Sequence, residues 1–138
     1  MIGLDTNVLA RYYVDDRADG EATRQREAAR RILESGQPLM VCQTVLLELE
    51  WVLRGYYKFR LSEVAAVFRH VLSMPNITVE DRPAVEQAVA SGEAGLDFAD
   101  AVHHASYAHC TRVVSFDDQG FARKARRLKL TPVVEVPR

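Results

Sequence analysis

Short apolar segments alternate with longer segments of helical period along this sequence, and this alternation constrains the fold more than any other feature. The predicted strands cover residues 2–4, 39–41, 77–79, 112–115 and 132–134. The predicted helices cover residues 6–12, 20–35, 44–57, 61–72, 82–91, 97–109 and 118–128, and residues 82–95 can also be read as two helices. Short uninterrupted strands separated by helices predict an α/β fold with a parallel sheet buried on both faces.

Length and composition narrow the class of protein. A chain of 138 residues with 48% hydrophobic content fits a single domain over residues 1–138. The net charge of -1 gives no general attraction to nucleic acid or membrane. Cys42 and Cys110 are far apart, which predicts reduced, buried thiols in a cytoplasmic protein. No apolar run approaches the ~18 residues of a membrane span, and Asp5 interrupts any signal peptide.

The segment TVLLELEWVL carries two glutamates among apolar residues. Glu50 has Arg54 four residues later, so an exposed ion pair explains it. Glu48 has no cation at its helical neighbours. Since burying an unpaired carboxylate costs several kcal/mol or a large pKa shift, we expect a metal ion to compensate Glu48.

The segment GLDFADAVHHASYAH places Asp97 and Asp100 on one face of a helix. Asp97 is either a helix N-cap or a functional acid. Asp100 is either hydrogen-bonded to His103 or His104 or part of a site, and its apolar neighbours favour the site. The histidine spacing matches neither H-E-x-x-H nor a zinc finger, so these side chains are expected on the helix surface or in support of a site.

The segment RVVSFDD ends a predicted strand with Asp117 and Asp118 at the start of a helix. Capping explains one of these aspartates but does not readily explain both. The start of the chain, GLDTN, repeats this arrangement at Asp5. Ligands of open parallel sheets bind beyond the carboxyl ends of strands, so we expect Asp5 and Asp117 at one edge of the sheet, with Glu48 and Asp100 on helices that face it.

Four carboxylates gathered in this way would repel one another by about 4 kcal/mol per pair at about 4 Å and an effective dielectric of about 20. No lysine or arginine lies beside any of them in the sequence. Hard divalent cations with oxygen ligands relieve such repulsion. The cluster therefore predicts Mg²⁺ or Mn²⁺ rather than zinc.

Four motifs in order, LDTNVL, TVLLELEWVL, DFADAVHHASYAHC and VVSFDDQGF, span almost the whole chain. With them the sequence resembles PIN-domain ribonucleases, specifically the VapC-like toxins of bacterial type II toxin–antitoxin systems. The resemblance implies a PIN-like three-layer α/β/α fold with a five-stranded parallel sheet in the order 3-2-1-4-5. It also implies a homodimer, an RNA substrate and a VapB-like antitoxin partner.

The resemblance further implies an Mg²⁺-dependent endoribonuclease whose catalytic residues are Asp5, Glu48, Asp100 and Asp117. Of these, Asp5, Asp100 and Asp117 would bind one or two Mg²⁺ ions, with Mn²⁺ as an alternative. The hydroxyls expected to support the site are those of Thr6 and Ser115, and Asp97 lies where some members carry a further acid. Which RNA is cut stays open.

The segment FARKARRLKL offers local positive charge without an acid. Its candidates for RNA phosphates are Arg123, Lys124, Arg126 and Arg127, with Lys129 beyond them. An ordinary solvated helix face is the alternative explanation.

Two other functions compete with the nuclease. An Asp-dependent phosphatase of the haloacid-dehalogenase type needs a second aspartate two residues after the first, where this chain has Asn7. A non-catalytic interaction domain would use the acids as helix caps. An unexplained Glu48 argues against that domain.

Overall fold

The strands and helices follow one another as the sequence patterns predict. The computed structural model describes the whole chain, Met1–Arg138. The strands are β1 (Ile2–Gly3), β2 (Leu39–Val41), β3 (Ile77–Val79), β4 (Arg112–Val114) and β5 (Val133–Glu135). The α-helices are α1 (Thr6–Tyr13), α2 (Gly20–Leu33), α3 (Gln43–Trp51), α4 (Leu61–Ser73), α5 (Arg82–Glu93), α6 (Phe98–Ser106) and α7 (Arg123–Arg127).

Two π-helical segments extend these helices. Val52–Tyr56 continues α3, and Asp118–Ala122 leads into α7. Backbone bonds to the fifth preceding residue mark both segments: Tyr57 N–H donates to Val52 O at 3.1 Å, and Ala122 N–H donates to Asp117 O at 3.0 Å. The predicted helices 44–57 and 118–128 are therefore each part α-helix and part π-helix.

The chain divides into two compact units, residues 1–82 and 83–138. In the first unit β1, β2 and β3 form a parallel sheet in which Leu39 pairs with Ile2 and with Ile77. The apolar faces of the helices supply its core, where Leu9, Leu49 and Leu53 are completely buried. Burial of these apolar side chains is the main favourable contribution to the stability of this unit.

The second unit contains the parallel pair β4 and β5, in register Val113 to Val134. Its buried apolar side chains come from helices α5 to α7 and from this pair, with Val85, Ala88 and Ala122 at or near zero exposure. Residues 82–93 form one helix, which settles the open choice in that segment.

The predicted α/β class with parallel strands is confirmed. The observed neighbours, β1-β2-β3 and β4-β5, agree with the predicted order inside each sheet. The strands form a three-stranded and a two-stranded sheet and are not hydrogen-bonded as one sheet of five. With only two residues, β1 offers few backbone groups for pairing. The prediction of one domain over residues 1–138 stays a prediction.

Both cysteines are free thiols, as predicted. The prediction that they are buried is wrong, because Cys110 is exposed and Cys42 is half-buried. Cys42 occupies the N-cap of α3, and its Sγ lies 3.3 Å from the Thr44 hydroxyl, so it sits at a helix end and not within the core. No helix combines the length and the apolar character needed to cross a membrane.

Candidate active site

Asp5 links β1 to α1 in an extended conformation, with φ -86° and ψ 163°. Its carbonyl oxygen accepts the first hydrogen bonds of α1, from Val8 N–H at 3.2 Å and Leu9 N–H at 3.4 Å. Its carboxylate makes no capping hydrogen bond and is exposed. Capping by the side chain therefore does not explain Asp5, and both carboxylate oxygens are available to a ligand.

Thr6, the next residue, is buried and carries a polar atom without a partner. Its side chain is 8% exposed, and its Oγ1 has no hydrogen bond within the protein. A buried hydroxyl without a partner is unfavourable by about 1–3 kcal/mol. Such a group suits a site whose hydrogen-bond partner arrives with a ligand.

The two glutamates of α3 differ in their surroundings, although not entirely as predicted. Glu50 accepts a hydrogen bond from Arg54 Nη1 at 2.9 Å, so the predicted ion pair is confirmed. Glu48 is exposed and has no partner, so the prediction of a buried charge there is wrong. The buried stripe of α3 runs through Val45 and Leu49, and Glu48 lies off it. Glu48 is thus a free carboxylate. Because it is exposed, no cost of burial has to be offset by a metal ion.

Asp97 is the N-cap of α6, with its Oδ1 accepting a hydrogen bond from Asp100 N–H at 3.1 Å. The capping interpretation is therefore confirmed. Gly95 in the preceding loop adopts φ +111°, a conformation that favours glycine. The cap uses only one carboxylate oxygen of Asp97. It also holds the negative charge of this side chain at the start of α6.

Asp100 lies half-buried on the first turn of α6. Burial raises the pKa of its carboxyl, and the negative charges of Asp97 and Asp117 raise this pKa further. His103 and Lys124 act in the opposite direction and lower it. Asp97 and Asp117 are therefore each close enough for their charge to act on the Asp100 carboxyl.

The histidines are not arranged as zinc ligands. His104 is 1% exposed, and its Nε2 lies 2.7 Å from the Pro132 carbonyl oxygen. Its ring also meets Phe121 edge to face. His103 and His109 are exposed. Neither His103 nor His104 donates a hydrogen bond to Asp100, so the alternative of an Asp–His hydrogen bond is not observed; His104 is buried and pairs with the Pro132 carbonyl.

Asp117 caps the π-helical segment with both of its carboxylate oxygens. Oδ1 accepts from Gly120 N–H at 2.9 Å, and Oδ2 accepts from Phe121 N–H at 3.1 Å. Ser115 Oγ accepts from Asp117 N–H at 3.0 Å, so this hydroxyl positions the aspartate through its backbone. Asp118 is exposed and makes no such cap. Capping accounts for one aspartate of the pair, as predicted, and that one is Asp117.

Gly120 belongs to this arrangement, although none of the four sequence motifs predicts a role for it. A Cβ added at Gly120 would lie 2.5 and 2.7 Å from the two carboxylate oxygens of Asp117. No real Cβ contact is that short, so the carboxylate occupies space that only glycine leaves. The signal in the sequence is a glycine three residues after an aspartate that follows a strand and starts a helical segment.

Lys124, a predicted RNA-binding cation, also acts on Asp100, and the sequence does not reveal this second role. The sequence places no cation beside the acids, yet this half-buried lysine of α7 is close enough to lower the pKa of Asp100. The two residues lie on different helices, so only the tertiary fold brings them together. Of the other candidates for RNA, Arg123 donates to Gln119 Oε1 at 3.1 Å, whereas Arg126 and Arg127 are exposed.

The residues supply oxygen donors of the kind that Mg²⁺ and Mn²⁺ prefer. In the second unit, the accumulated charge around Asp100 fits the binding of a cation. In the first unit, the Thr6 hydroxyl is an oxygen donor without a partner. No group of three or more His, Cys, Asp or Glu side chains is arranged to hold a metal ion. Mutual repulsion of carboxylates works against such an arrangement when no cation is bound. Asp97 and Asp117 point at helix ends instead.

Comparison with models of known protein families gives a match over most of the chain. A family model described as "PIN domain" matches residues 2–127, most of the chain. These residues include Asp5, Glu48, Asp100 and Asp117. No curated protein matches the chain.

Proposed function

Because the chain belongs to the PIN-domain family of metal-dependent nucleases, we propose that it is an Mg²⁺-dependent endoribonuclease. We further propose that it acts as the toxin of a toxin–antitoxin pair. Asp5, Glu48, Asp100 and Asp117 are the catalytic acids of this proposal, and the first observation in its favour is electrostatic.

That observation is the charge around Asp100. Burial and the neighbouring charges of Asp97 and Asp117 raise the pKa of the Asp100 carboxyl. Such an arrangement is unfavourable for the metal-free fold, and functional sites are where unfavourable charge is retained. A bound divalent cation would offset it.

In the proposed site the metal ligands are Asp5, Asp100 and Asp117, with Mn²⁺ as an alternative to Mg²⁺ and one or two ions bound. A divalent ion held by these residues would supply Lewis acidity to the scissile phosphate and would lower the pKa of a bound water.

The remaining steps belong to side chains of this chain. Glu48, exposed and without a partner, accepts a proton from the attacking water or orients it. The Thr6 hydroxyl, buried and without a partner, is assigned to support of the site. Ser115 holds Asp117 in place through its backbone N–H.

The proposed partners follow from the same family. RNA phosphates are bound by the cations of the segment around α7, namely Arg123, Lys124, Arg126 and Arg127. A VapB-like antitoxin blocks the acids, and an arginine fork among the carboxylates would replace the charge of the metal. A homodimer in the cytoplasm completes the proposal, and the two free thiols agree with a reducing compartment.

A second candidate is a non-catalytic interaction domain of the same fold. The caps made by Asp97 and Asp117 favour it, because they give both acids a structural role. The free carboxylates of Asp5 and Glu48 have no such role and favour the nuclease.

Cleavage of RNA by Glu48→Gln and Glu50→Gln separates the two candidates. Both changes remove one negative charge from α3, and the amide oxygen introduced by Glu50→Gln can still accept a hydrogen bond from Arg54. In Mg²⁺ we expect wild type and Glu50→Gln to cleave RNA and Glu48→Gln to lose cleavage, with EDTA stopping all of it. Equal cleavage by the two variants would remove Glu48 from the site, whereas no cleavage by wild type in Mg²⁺ would favour the non-catalytic candidate.

A further inference from the structure

We propose that a groove of about 940 Å³ between α7 and β5 binds the phosphodiester backbone of an RNA strand. The proposal deepens the endoribonuclease function and rests on it. It assigns the strand to one surface of the second unit and to three particular cations.

The cations are the side chains of Arg126, Lys129 and Arg138, all of which line the groove. None of these three side chains has a hydrogen bond or an ion pair within the protein. Because no acid of the protein is paired with such a cation, its charge is available to an anionic ligand. Neutralisation of backbone phosphates by such side chains is the main sequence-independent contribution to RNA affinity.

The groove also contains two acids, of which one is already neutralised. Glu135 accepts a hydrogen bond from Arg112 Nη1 at 2.9 Å. Asp118 is therefore the one acidic side chain of the groove without an ion pair, against three cationic side chains without one. The excess of positive charge favours an anion, although the protein as a whole has a net charge of -1.

Lys129 occupies its position in the groove at a conformational cost. Its φ is +57°, and it is one of three non-glycine residues with positive φ. The N–H of Lys129 donates to Arg126 O, and the N–H of Leu130 donates to Ala125 O, both at 3.0 Å. This Schellman arrangement ends α7 at a position where glycine is the favoured residue. A lysine kept there in spite of the strain points to a role for its ammonium group.

The groove and the proposed active site use neighbouring residues of the chain. Asp118 lines the groove, and its neighbour Asp117 is a proposed metal ligand. A strand held in the groove would therefore pass beside an acid that takes part in cleavage. The other cations of the segment have different surroundings: Arg123 bonds to Gln119, and Lys124 faces the charge of Asp100.

Lys129→Gly and Arg126→Ala test the groove, with Arg31→Ala as the matched control. Arg31 is an exposed, unpaired cation of α2, so its loss changes net charge equally. Affinity for a labelled single-stranded oligoribonucleotide is measured by fluorescence anisotropy in EDTA, over a salt range of roughly 50 to 200 mM. Thermal denaturation is measured in parallel.

We expect each groove variant to weaken binding several-fold and to lower the salt slope by about 0.7 per lost phosphate contact. Arg31→Ala should leave both quantities unchanged. Lys129→Gly should bind RNA less well although its Tm rises, because glycine relieves the strained φ. A purely structural lysine would give the rise in Tm without the loss of affinity.

Two results would overturn the groove. One is wild-type affinity and salt slope in Lys129→Gly and Arg126→Ala. The other is binding of oligoglutamate, and not of RNA, that depends on these residues, which would assign the groove to an acidic protein. If wild type does not cleave RNA in Mg²⁺ but the groove variants still lose binding, the endoribonuclease proposal fails and the groove stands.

Discussion

Replacing Gly120 with alanine should displace the carboxylate of Asp117, and the effect can be isolated with a double-mutant cycle. The backbone of Gly120 does not have positive φ, so alanine is compatible with its conformation. The obstacle is the carboxylate, whose oxygens would lie 2.5 and 2.7 Å from the added Cβ. The two substitutions, Gly120→Ala and Asp117→Ala, should therefore be coupled.

The magnitude follows from two opposing effects. Alanine is favoured over glycine within a helix by about 1 kcal/mol. Displacing the carboxylate removes the cap that it provides to Gly120 and Phe121 N–H, a loss of about 1 kcal/mol. In wild type the two effects nearly cancel. In Asp117→Ala the cap is already lost, so Gly120→Ala should raise the free energy of unfolding by about 1 kcal/mol, or roughly 3 °C in Tm.

Urea denaturation of the four proteins of the cycle measures this coupling. Gly92→Ala is the matched control, because an added Cβ there meets only Phe98 Cδ2, at 3.9 Å. It should change stability equally with and without Asp117. The cleavage rate should fall in Gly120→Ala even though its stability is close to wild type. Equal stabilisation by Gly120→Ala in both backgrounds would refute the placement of Asp117 against Gly120.

Two further substitutions should stabilise the metal-free protein and lower its cleavage rate. Asp100→Asn removes a carboxylate whose pKa is raised in the fold, so it should raise Tm at about pH 7. Because the cost of that charge is relieved as pH falls through the raised pKa, the difference in Tm should shrink in acid, and a difference that grows there contradicts the electrostatic argument. Thr6→Val removes the unpartnered hydroxyl and should raise the free energy of unfolding by about 1 kcal/mol in urea denaturation, whereas a loss of stability would show that Oγ1 has a partner.

The elements with strong local patterns could be predicted from the sequence. Strands β2 and β3 agree with their predictions residue for residue, because each is a short run of strand-forming residues directly after turn residues, GQP before β2 and MPN before β3. The N-cap interpretation of Asp97 is correct, since an aspartate after a glycine-containing loop is a typical helix start. The π-helical character of Val52–Tyr56 has no comparable signature, because it depends on which carbonyl each N–H selects.

Only part of the candidate site could be predicted from the sequence, because the charged groups that surround each acid are brought there by the tertiary fold. Apolar neighbours in the sequence suggested a buried Glu48, but the side of α3 that faces the core is set by packing, and Glu48 lies off it. Lys124 modifies the pKa of Asp100 from another helix, which no local spacing reveals. The sequence motifs supply the candidate acids, whereas only the structure shows which carboxylates cap a helix and which have no hydrogen-bond partner.

Cleavage of RNA by Asp5→Asn in Mg²⁺ tests the central claim most directly. Asp16→Asn makes the same change of charge in the same unit, at a residue outside the proposed site. We predict that wild type and Asp16→Asn cleave RNA in Mg²⁺ and not in EDTA. Asp5→Asn should keep its circular dichroism spectrum and Tm but cleave on the order of 100-fold more slowly or not at all. Cleavage at the wild-type rate by Asp5→Asn, or equal cleavage in Mg²⁺ and EDTA, would contradict the assignment of Asp5 to a metal-dependent active site.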